Sequence, residues 1–168
     1  MPALATIADS GSRALSALIG TATMGLAVAV WVTADDPDVL AERTVELFGG
    51  TFLVLLAGLL FLSLFAWVRM GQSRFDPTAR ALWLETGLHG ASGVATLALT
   101  YTLFGISLGI GTLADQPLNP DTVGSIIQDL TRHFSMAFLT TVVGLPTSAL
   151  LRALLLITEK RLDAKEAL

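Results

Sequence analysis

Cysteine is absent from the 168 residues, which excludes disulfides, thiolate nucleophiles and cysteine-held metal or iron–sulfur centres. Histidine is nearly absent: two copies are too few for a histidine-rich metal site. Charge is scarce, 14% of residues against about 25% in an ordinary soluble domain. Nor does any Asp, Glu or Lys fall in the middle of an apolar run, where proton relays and ion sites in membranes normally keep an ionisable group. We find no nucleophile–base pair, metal-ligand spacing or phosphate-binding loop, so neither enzymatic activity nor a cofactor, metal or nucleic-acid partner is expected. What is present is hydrocarbon. The chain is 53% hydrophobic with a mean hydropathy of +0.70, which puts it in the membrane class.

The apolar runs predict an all-α, four-span membrane protein. Residues 1–13 read as a cytoplasmic end, followed by Ala14–Thr33, twenty residues without a charge. A secretory signal would have a shorter apolar core, so a retained first span is expected. Ala34–Glu46 is an acidic connection with Pro37 as a helix stop, and Leu47–Val68 is a second span. These two form a peripheral unit over 14–68, with Trp31 and Trp67 as interfacial anchors. The 69–85 segment is a cytoplasmic loop in which Asp76-Pro77 opens a turn or a short interfacial helix. A hairpin of two further spans occupies 86–158, joined by an outer connection whose 121–130 portion suits a surface helix. The tail is 159–168. Eight of the ten Lys and Arg lie at the amino end, in the middle loop or from Arg152 onward, which predicts both termini in the cytoplasm.

The last two spans differ from the first two in carrying hydroxyls and small residues. At 100° per residue, His89, Gly93, Thr96, Thr100, Ser107 and Gly111 share one face of the third span. A roughly opposite stripe holds Ala95, Ala98, Thr102, Gly105 and Gly109. In the fourth span Ala137, Thr140, Gly144, Thr147 and Ser148 share a face, with Thr141 at its edge and Pro146 predicting a kink. Antiparallel packing would bring Thr102 and Thr141 to a common level, roughly 12–15 Å below the outer surface. Hydroxyls at that depth either bond to their own helix or face water or a partner, and both readings stand at this point.

Two segments resemble a known family. Thr102–Leu108 (TLFGISL) is similar to the penultimate-helix core, and Ala137–Ser148 (AFLTTVVGLPTS) to the last-helix core, of the MotA/TolQ/ExbB proton-channel family. The resemblance covers about residues 96–158. It implies a bacterial inner-membrane homo-oligomer, a pentamer, whose last two helices ring a MotB/TolR/ExbD-like dimer of single-span chains bearing a membrane aspartate. Such an assembly conducts protons or Na+ and converts ion-motive force into mechanical work or transport. On this resemblance Thr102, Thr141 and Thr140 are pore threonines, and Thr100, Gly105, Ser107, Gly144, Pro146 and Thr147 complete the pore lining. The chain departs from the pattern at Tyr101, where glycine is usual, and at Met136, where ExbB-like proteins have glutamate. Its 69–85 loop is too short for a rotor-gripping domain. The alternative is a structural or assembly subunit of a membrane complex, using its small-residue faces for packing alone.

Overall fold

The computed structural model describes residues 2–33, 36–73, 75–115, 119–120 and 122–166. Five α-helices follow one another: α1 (Pro2–Thr33), α2 (Pro37–Phe48), α3 (Gly50–Gln72), α4 (Pro77–Asp115) and α5 (Val123–Glu166). Arg74, and parts of the 34–35 and 116–121 connections to which the sequence assigns loops, lie outside the described residues.

Among the described residues, three helices are long and apolar enough to cross a bilayer: α3, α4 and α5. The protein is therefore a multi-pass helical membrane protein, but the expectation of four spans is corrected to three. The first helix starts at Pro2 rather than near Ala14. It runs Asp9, Ser10, Ser12 and Arg13 straight into an apolar part diluted by Gly20, Thr21, Thr23 and Gly25. By contrast α3, with 23 residues at ~1.5 Å each, spans about 35 Å and is Leu- and Phe-rich throughout.

Three boundaries also differ from expectation. Pro37 starts α2 instead of ending a helix, because at the first helical position its missing N–H has no partner to lose. The second apolar run does not begin at Leu47: Gly49 has φ 76°, a left-handed conformation that suits glycine, and separates α2 from α3. Asp76 caps α4 by accepting from the N–H groups of Thr78 and Ala79, both at 3.1 Å, so no separate interfacial helix forms. Likewise α5 absorbs the predicted surface helix, the span and the tail into 44 residues and continues through Pro146.

The α4–α5 pair is an antiparallel hairpin and the most extensive contact in the molecule. On another side of α4 sits α3, held by Phe52 against Tyr101 (ring centroids 5.0 Å apart) and Phe65 against Trp83 (5.7 Å). Tyr101, where the family resemblance expects glycine, thus fills the α3–α4 seam. The first helix packs on α3, and α2 lies across one end, where Glu46 accepts from Arg132 at 2.7 Å. At the opposite end Ser10 of α1 donates to Gln72 at 2.7 Å, and Arg80 of α4 pairs with Asp163 of α5 at 2.7 Å. Both described ends of the chain therefore lie at the end of the bundle that carries the 73–76 turn.

Candidate functional site

Small residues set how closely α4 and α5 approach. A Cβ built on Gly105 would stand 2.8 Å from that of Ala137, and one on Gly109 would stand 2.8 Å from the ring of Phe134. Gly144 lies as tightly over Ala98. The stripe Ala98–Thr102–Gly105–Gly109 read from the sequence is thus the surface of α4 that meets α5. Close backbones of this kind are the usual way membrane helices gain dispersion energy when lipid removes the hydrophobic driving force.

At the centre of this seam three threonines come together. Thr140, 1% exposed, donates to its own Ala137 carbonyl at 2.7 Å. Thr102 reaches the Ala98 carbonyl at 2.8 Å and that of Ala137, across the seam, at 3.0 Å. Its hydroxyl also touches those of Thr141 and, at 3.4 Å, Thr140. Each hydroxyl has one proton. With the proton of Thr102 given to a carbonyl, Thr141 donates to Thr102. The lone pairs of the Thr141 hydroxyl then have no donor among the described residues. Thr102 and Thr141 are both half-buried, at the edge of the hairpin rather than in its middle.

The remaining predicted site residues scatter. Gly105 and Gly144 are buried in the seam beside the threonines. Thr100 and Ser107 are exposed on the outer side of α4, and Thr100 bonds to the Thr96 carbonyl at 2.8 Å. Pro146 is exposed. Thr147 turns toward α1 and α3 and bonds to its own Val143 carbonyl at 2.7 Å.

Two polar contacts beside the triad escape a reading by motif. Ser148, 4% exposed, donates to the Ala91 carbonyl at 2.7 Å, and Arg152 donates to the Ser92 hydroxyl at 2.8 Å. Both link α5 to α4 on the side of the triad facing the 73–76 turn. Farther on, Arg80, buried between the helices, meets Glu159 at 3.2 Å as well as Asp163. The signal was available: an arginine ahead of the third span and two acids four residues apart in the tail belong to the same end of an antiparallel hairpin. Among the described residues no group of three or more His, Cys, Asp or Glu could hold a metal ion.

Comparison of the chain with protein-family models, with curated proteins and with solved structures gives no match.

Proposed function

We propose that this protein is the ring-forming subunit of an ion-conducting membrane assembly, in which the α4–α5 hairpin lines the path and a second, single-span chain supplies the carboxylate. The observation that supports it is the Thr102–Thr141 contact. Two hydroxyls stand at one level on a hairpin edge otherwise built from side chains such as Leu99 and Phe138, with acceptor capacity left on Thr141. A polar atom in that setting calls for water, a hydroxyl or a protonated acid from outside the chain. No residue of this chain could carry the moving charge at that level, so the acid belongs to a partner, as in the MotA/TolQ/ExbB assemblies that the two segments resemble. We place the end bearing the 73–76 turn, and both chain ends with it, in the cytoplasm of a bacterial cell on the Lys and Arg distribution. At ~100 mV each charge crossing supplies about 2.3 kcal/mol for work.

The second reading, a structural subunit without conduction, draws on the same seam: the hydroxyls of Thr102 and Thr140 are already satisfied within the chain. One experiment separates the two. Replacing Thr102 and Thr141 together by valine keeps shape and removes both hydroxyls. In cells and in proteoliposomes carrying the native assembly, conduction is expected to fall at least tenfold with oligomer size unchanged. Unchanged conduction, or an assembly that conducts nothing before mutation, would favour the structural reading.

A further inference from the structure

On the side of the bundle away from the threonine triad, α1 packs on α3 but makes no contact with α5 among the described residues. The gap is an open apolar groove of about 580 Å³, walled by Leu18 and Ala22 of α1, Leu53, Ala57 and Leu60 of α3, and Leu154 of α5. Two threonines, Thr21 and Thr147, also border it. Each has its hydroxyl bonded to a carbonyl of its own helix, Ala17 and Val143, so neither needs a polar partner from the groove. An apolar space of this kind does not hold water. Hydrocarbon must fill it.

The dimensions choose between a helix and a chain. From Leu53 to Leu64 the groove follows α3 for ~16 Å at ~1.5 Å per residue. Its volume over that length corresponds to a mean cross-section of about 36 Å². A helix with side chains is at least ~10 Å across, or roughly 80 Å². A neighbouring helix is too thick, whereas an extended alkyl chain fits.

The groove also leads somewhere. One turn farther along each of the same three helices is a second cavity of about 400 Å³, lined by Arg13, Trp67, Gln72 and Thr158 among others. Its wall is held by the Trp67 indole N–H donating to Thr158 at 3.0 Å. Arg13 is exposed and pairs with Asp9 of its own helix at 3.1 Å, which leaves other guanidinium donors facing outward. An apolar slot ending at a guanidinium near the membrane surface has the polarity of a lipid. We propose that this three-helix groove is a binding site for one membrane phospholipid, its acyl chain between α1, α3 and α5 and its phosphate at Arg13. The site is independent of the function proposed above, since it lies on the other side of the hairpin.

The wild-type assembly, extracted gently, is incubated with a phosphatidylglycerol carrying a photoreactive group in its acyl chain, and labelled positions are mapped by mass spectrometry. Labelling is expected to be confined to residues 18–22, 53–64 and 150–154 and to be competed by unlabelled phosphatidylglycerol. Diacylglycerol, which has no phosphate, should compete several-fold less well, and Arg13→Gln should abolish that difference. Ala57→Trp, which fills the groove from its exposed side, should remove the labelling. Uniform labelling that includes Leu103 and Val142 on the opposite faces would overturn the proposal, as would no labelling at all. Equal competition by diacylglycerol would overturn the role given to Arg13.

Discussion

Gly144 of α5 lies directly over Ala98 of α4, so close that a Cβ on the glycine would collide with that of the alanine. Neither backbone can retreat cheaply, because Gly105 against Ala137 pins the hairpin two turns away. Gly144→Val should therefore cost on the order of 1–3 kcal/mol or more by overpacking. Gly111→Val, at a position with no neighbour within 4 Å, should cost far less. Reversible unfolding of the two variants in mixed micelles checks the contrast.

Arg80 ties the start of α4 to the last turns of α5. Its side chain is 7% exposed between Glu159, at 15%, and Asp163, at 42%. Removing one member of a buried pair leaves the other charge uncompensated, a loss of roughly 3–5 kcal/mol where burial is complete. The partial exposure of Asp163 moves the expectation to the low end. Arg80→Met should accelerate amide exchange from Thr158 to Lys165 while leaving Val142 to Leu150 protected, as hydrogen exchange with mass spectrometry would show.

The Ser148 hydroxyl crosses to α4 and that of Thr147 does not. Interhelical hydrogen bonds in membranes are worth about 0.6 kcal/mol on average and at most ~1.7. Ser148→Ala should lower stability by an amount in that range. Thr147→Val, which removes only a bond to its own helix, should leave it unchanged. Equal losses from the two would mean that the Ser148–Ala91 contact contributes nothing.

Composition and spacing made part of this legible. The small-residue stripe of α4 and the common level of Thr102 and Thr141 both follow from helical periodicity and antiparallel packing. These are local rules, and nothing in the tertiary structure overrides them. Other features depended on choices that periodicity does not make. Pro37 can end a helix or begin one, and only the chain entering it decides. Thr147 belongs by angle to the face of Thr140 and Gly144, yet α3 and α1 stand close enough to claim it. The first apolar run looks like a span when cut at Ala14, but the helix extends back to Pro2 through a charged pair, Asp9 and Arg13. The groove behind α3 was invisible because it consists of contacts that α1 and α5 fail to make.

The hydroxyl edge of the hairpin has a use in conduction only if several copies surround an acidic helix from another chain. Native mass spectrometry of the complex released from its own membrane tests this most directly. The account predicts five copies of this 17.7 kDa chain together with two copies of a single-span protein that has an aspartate in its span. A single copy of the chain, with no such companion under the gentlest extraction, would contradict it.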